Sequence, residues 1–298
     1  MITVTGLTKH YGDRTAVDDL RFRVAAGRVT GFVGPNGAGK STTMRMMVGL
    51  TRPDAGEVRY DGERYADLPD PARVVGVVLD PRSMHPGRTA RNHLRAMAAM
   101  SRIPASRVEQ VLAEVGLETA ADRRAGGFSL GMRQRLALAG ALLGQPHVLL
   151  LDEPSNGLDP DGIRWLRHHL GEFAAGGGTV FVSSHLISEL SMFADDLVVV
   201  GAGKLLAAET VEEITRHSAT SVVVETPQAA DLARLLRARD MAVEHAGDRL
   251  VVRGVTKAEV SQLAFEHGIR LVELSESTRS LEDSLLDMTG GSAEFTTA

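Results

Sequence analysis

The chain has 298 residues, 43% of them apolar, no cysteine and a formal net charge of −5, enough for a sizeable core and about two domains. The missing cysteines exclude disulfides and thiolate metal sites, which fits a cytoplasmic location, and apolar runs such as 148–151 and 197–200 are far short of the roughly 18 residues of a bilayer span. Of 33 Lys and Arg and 38 Asp and Glu, residues 219–298 hold 8 and 13, so residues 1–218 are balanced at 25 each and offer no basic footprint for nucleic acid.

Residues 1–12 have polar side chains every second or third place, unlike a secretory leader. Residues 2–7 and 20–24 alternate apolar and polar around the turn residues Gly12 and Asp13, which predicts an antiparallel β edge. A strand over 28–33 then runs into Gly34-Pro35-Asn36-Gly37-Ala38-Gly39-Lys40-Ser41-Thr42 and a helix reaching Leu50. This is G-x-x-x-x-G-K-[ST] in its strand, loop, helix setting. Its glycines let backbone N–H groups converge on phosphate oxygens at a helix N-terminus. Lys40 is placed to reach the β- and γ-phosphates and the Ser41 hydroxyl to hold Mg²⁺, while Met44, Met46 and Met47 are expected to pack under the sheet.

Residues 80–144 change character, with Ala-, Leu- and Met-rich helices over 92–102 and 106–115 inserted between two halves of the sheet. Met97 and Met100 lie three apart, as core residues or as an adaptable docking face. Residues 147–153 form a near-continuous apolar run ending in Asp152 and Glu153, as a strand buried on both faces requires. Asp152 is placed to orient Mg²⁺ and Glu153 to take a proton from an attacking water, although acids at a strand end also serve as helix caps. Trp165 is expected to pack, and the adjacent His168 and His169 diverge by about 100° on a helix and cannot chelate together. A further β run over 179–183 closes with Ser183, Ser184 and His185; a lone histidine is more often structural than catalytic, but its place at the end of a core strand favours a functional role. Residues 216–298 read as β-α-β-β-α-β, with strands over 221–226, 241–245, 249–253 and 270–274, helices over 229–239 and 257–267, and a final short helix over 280–288. No catalytic constellation lies there.

The order of these motifs carries a resemblance. After the phosphate loop come Phe128-Ser129-Leu130-Gly131-Met132-Arg133-Gln134-Arg135, then Asp152-Glu153-Pro154, then Ser155-Asn156-Gly157-Leu158-Asp159, then His185. The series resembles the ATP-binding cassette ATPases over about residues 1–215. The resemblance implies an α/β P-loop NTPase core with an antiparallel β edge and a helical subdomain at about 80–144. Residues 216–298 would add a small α+β, ferredoxin-like accessory domain, similar to the extensions of bacterial drug- and antibiotic-export ATPases. It implies ATP and Mg²⁺, and a head-to-tail dimer in which the loop of one copy and Ser129, Leu130, Gly131 and Met132 of the other enclose each ATP. Tyr11 would stack on adenine, Asp159 would cross the dimer interface and His185 would sense the γ-phosphate. A separate membrane permease would be the partner, at the inner face of the cell membrane. Two departures stand out: Asp80 replaces a glutamine that usually senses Mg²⁺, and Leu130 and Met132 replace a glycine and a glutamine of the signature. Cassette ATPases acting on ribosomes or chromosomes carry two cassettes or long heptad inserts, and a small-molecule kinase would lack the signature and the Asp-Glu strand end; this chain fits neither.

Overall fold

The computed structural model describes residues 1–80, 83–217, 220–239, 241–246, 249–253 and 255–278. Two units divide the chain, with Met1–Val211 in the first and Glu212–Asp287 the second. The first unit runs through β1 (Ile2–Tyr11), β2 (Arg14–Val24), β3 (Arg28–Val33), α1 (Lys40–Met47), β4 (Ala55–Tyr60), β5 (Glu63–Arg64), α2 (Pro71–Val74) and β6 (Val75–Val78). It continues with α3 (Ala90–Met100), α4 (Ser106–Glu114), α5 (Leu130–Leu142), β7 (Val148–Leu151), α6 (Pro160–Ala175), β8 (Thr179–Ser184), α7 (Ile187–Ser191), β9 (Asp196–Gly201) and β10 (Lys204–Thr210).

Two sheets result, one antiparallel in the order β2-β1-β4-β5 and one in the order β10-β9-β3-β8-β7-β6. In the second, β9, β3, β8, β7 and β6 run parallel and β10 closes the edge antiparallel. Every residue of β7 and β8 is buried, which is why their sequences are apolar runs instead of alternations. Phe22 of β2 bridges the sheets, its ring 5.8 Å from Phe32 and 5.6 Å from Phe181. Met44, Met46 and Met47 of α1 lie in the same core, as the sequence predicts.

The chain leaves β3 for β6, β7 and β8 on one side and reaches β9 on the other. Strand order thus reverses at β3, and the crevice beyond the carboxyl ends is where such sheets bind ligands. Of the helices α3, α4 and α5, the first is capped by Thr89, whose hydroxyl accepts from Asn92 N at 3.2 Å. The two methionines of α3 separate: Met97 packs beside Gly140 of α5, while Met100 is 87% exposed, so they form no single face.

The second unit begins at the start of α8 (Val211–His217) and contains β11 (Thr220–Glu225), α9 (Ala229–Arg237), β12 (Ala242–Ala246), β13 (Arg249–Arg253), α10 (Lys257–Glu266) and β14 (Glu273–Thr278). Its sheet is ordered β12-β13-β11-β14 with antiparallel neighbours, and Leu232, Leu236, Val260 and Leu263 of the two helices cover one face. The last strand begins at Glu273 instead of residue 270. Arg270 N donates to Gln228 Oε1 at 3.0 Å, and Thr226 Oγ1 donates to Arg270 O at 2.7 Å; side chains thus satisfy the backbone that a ladder would have used. The predicted helix over 280–288 lies outside the described residues.

Candidate functional site

The loop from β3 to α1 is closed by Ala38 N donating to Pro35 O at 3.1 Å. Gly39 adopts φ +98°, and a Cβ there would lie 2.4 Å from Ala16 O, so any other residue would distort the loop. Lys40 follows, 6% exposed, its Nζ donating to Gly34 O at 2.6 Å and Pro35 O at 3.3 Å, and standing 3.7 Å from Glu153 Oε1. Burial pushes the Lys40 ammonium below its ordinary pKa, and the carboxylates of Glu153 and Asp152 pull it back up.

Opposite the loop, β7 and β8 end side by side. The buried Ser183 hydroxyl donates to Asp152 Oδ1 at 2.6 Å and accepts from Glu153 N at 2.9 Å, locking both acids to the neighbouring strand. Glu153 itself has φ +49°, a region that costs a non-glycine residue about 1–3 kcal/mol and is retained where surroundings enforce it. Its carboxylate receives Nδ1 of His185 at 2.8 Å and Nδ2 of Asn156 at 3.3 Å on Oε2. A carboxylate only accepts, so Nδ1 carries the imidazole proton.

These groups line a cleft of about 640 Å³ whose walls include Tyr11, Asn36, Gly37, Gly39, Ser41, Thr42 and His185, within the size range of ligand sites. An adjoining chamber of about 380 Å³ joins Ser41, Asp152 and Glu153 to Asp80, Arg45 and Leu130. Gly34 and Pro35 hold the lysine through their carbonyls, and Ala38 is buried in the core. Ser129, Gly131 and Met132 stand apart at the start of α5, where the Ser129 hydroxyl accepts from Met132 N at 3.2 Å. Asp159 caps α6 by accepting from Gly162 N at 2.7 Å.

Sequence reasoning passed over four residues of this region. Ser183 had a signal, a hydroxyl at the end of a wholly buried strand. Asn156 lay within a quoted motif, without a role. Arg14 and Arg45 reach the two chambers only through folding, from a hairpin and from one turn beyond Ser41, and no local pattern marks them.

Residues 17–156 match the family described as ABC transporter, and residues 220–282 a domain of unknown function. An uncharacterized ABC transporter ATP-binding protein, YhcH of Bacillus subtilis, is 34% identical over 99% of this chain and 97% of its own length. The chain belongs to the ATP-binding cassette transporter family. This cassette is also 33% identical to the bacitracin transport ATP-binding protein BcrA of Bacillus licheniformis, over 98% of both chains. Among solved structures, the ATP-binding subunit of an ABC transporter matches with a TM-score of 0.67 at 29% identity, over 73% of this chain and 92% of that one. A dimeric cassette in a post-hydrolysis state, bound to ADP and phosphate, matches with a TM-score of 0.64 at 25% identity, over 71% and 99%. The cassette is an ATPase.

Proposed function

We propose that the cassette is the motor subunit of a bacterial exporter of antibiotics, working as a dimer against a separate membrane permease at the inner face of the membrane. Among the described residues no helix is long and apolar enough to cross a membrane, so a spanning partner is needed. Relatives named for bacitracin transport and lantibiotic transport support a peptide antibiotic as cargo.

Chemistry starts from Glu153. With Oε2 engaged by His185 and Asn156, Oε1 is the atom that faces Lys40 and is available to a water in the cleft. The water oxygen bonds to the γ-phosphorus as the β–γ bridging P–O bond breaks, and Glu153 takes the proton. Lys40 stabilises the charge on the transferring oxygens. The Ser41 hydroxyl and the Asp152 carboxylate face one chamber, an oxygen-only donor pair of the kind Mg²⁺ takes together with nucleotide phosphates and water; the ion would neutralise charge between the β- and γ-oxygens. Asp80 lines the same chamber and adds negative charge where the family usually has an amide. Ser129 and Gly131 would meet the γ-phosphate of the second copy's ATP, Leu130 and Met132 would flank that contact, and Asp159 would lie at the boundary between copies.

The observation that carries this reading is Glu153 fixed by Ser183, His185 and Asn156 within reach of Lys40. Replacing Glu153 by Gln should cut kcat by roughly 10²–10⁴, the range for losing a general base, while ATP stays bound. Normal turnover by that variant would remove Glu153 from the role.

A further inference from the structure

The β1–β2 hairpin turns at Gly12-Asp13, and its last cross-strand pair is Tyr11 opposite Arg14. Residues directly opposite in an antiparallel pair project to the same side of the sheet, and both line the cleft. Arg14 extends to the phosphate loop: its Nη2 is 3.4 Å from where a Cβ on Gly37 would stand. Among the described residues, it makes no hydrogen bond or ion pair.

Charge makes this contact informative. The cationic and anionic side chains lining the cleft are Arg14, Lys40 and Glu153. Lys40 and Glu153 face each other at 3.7 Å and offset one another, so the positive excess offered to a polyanion resides on Arg14. A guanidinium is always protonated and presents a planar fork suited to phosphate oxygens.

The hairpin is also held in place before any ligand arrives. Asp54 accepts from Lys9 Nζ at 2.9 Å and from His10 N at 2.7 Å, and Lys9 in turn lies 5.6 Å over the Tyr11 ring. A braced tip places an aromatic ring and a cation about one nucleotide apart in function: one for the base, one for the phosphate chain. We infer that Arg14 is a nucleotide-binding residue that grips phosphate oxygens of ATP from the β1–β2 hairpin wall of the cleft. The inference rests on the nucleotide site proposed above and adds a second cation to it.

The test is the affinity of the full-length chain for adenosine, AMP, ADP and ATP, measured by calorimetry for the wild type, Arg14→Ala, Arg14→Lys and Lys40→Ala. Arg14→Ala should bind ATP about tenfold or more weakly, the range for one hydrogen bond to a charged group. Its loss should grow from AMP to ATP and vanish for adenosine, which also reports that the hairpin is intact. Arg14→Lys, which keeps the charge without the fork, should recover part of the loss. Unchanged ATP affinity in Arg14→Ala, or an equal loss for adenosine and ATP, overturns the inference. If Lys40→Ala weakens ATP while Arg14→Ala does not, only this inference fails; if neither does, the nucleotide site itself is misplaced.

Discussion

At the scale of single residues, the site turns on a serine. Ser183 is 0% exposed and gives its only proton to Asp152 while taking one from the Glu153 amide. Removing the hydroxyl leaves a buried amide without a partner and frees a carboxylate that should stay fixed. Ser183→Ala should therefore lower kcat about tenfold with ATP affinity nearly unchanged, as steady-state hydrolysis beside direct binding would show; equal losses in both would mean the strand ends had collapsed. The strand-end acids were legible from sequence because a buried strand must end somewhere and two consecutive acids marked the place. Ser183 was less legible, since its bonds cross from β8 to β7 and strand pairing is invisible to a linear reading.

The element scale brings two loops under the same logic. Gly157, in the turn after Glu153, has φ +73°, and a Cβ on it would lie 2.0 Å from Leu130 Cδ2. Leu130, one of the two residues that depart from the usual signature, thus fills the space a glycine leaves open on the loop that carries Asn156. Gly157→Ala should combine the backbone strain with that overlap and destabilise by about 2–4 kcal/mol, read as a lower unfolding midpoint. In the hairpin, the His10 amide and then the Lys9 ammonium hold the Asp54 carboxyl below its ordinary 3.8. A carboxylate with a depressed folded pKa stabilises above its unfolded value and loses that contribution as pH falls through the folded one. The hairpin should loosen below about pH 4, and Asp54→Asn should remove this acid-dependent step in hydrogen exchange of the β1–β2 amides. Such contacts, between Leu130 and Gly157 and between Asp54 and the Lys9–His10 pair, join residues well separated in sequence, which is why the antiparallel β1–β2 edge was legible from its alternation while the residues that brace it were not. The strand at Glu273–Thr278 began late for a related reason: residues 270–272 carry the same strand-forming side chains, and only the Thr226 and Gln228 side chains tell a ladder from its lead-in.

For the whole molecule, the decisive quantity is how many copies are needed for one turnover. Ser129 and Gly131 lie outside the cleft lined by Lys40, and the proposed arrangement has a second copy supply them to the phosphate. Glu153→Gln with ATP should elute at twice the mass of the same variant without nucleotide, and wild-type kcat per chain should rise with protein concentration in the range where dimers form. A monomer that hydrolyses at a concentration-independent rate would contradict the paired arrangement.

The solitary Trp165 supplies a readout for that event without any label. Its indole meets the Arg135 guanidinium, 4.2 Å from the ring centre, and stacks with the His169 ring at 5.5 Å. Arg135 belongs to the helix that opens with the signature, whereas Trp165 and His169 ride on α6 behind Asp159. Burial pushes the His169 imidazole below its ordinary 6.5, which favours the uncharged ring. Any swing of α5 relative to α6 must slide the guanidinium off the indole face, and the emission excited at long wavelength will shift with it. A single fluorophore thus sits where the helix that opens with Leu130 meets the helix capped by Asp159.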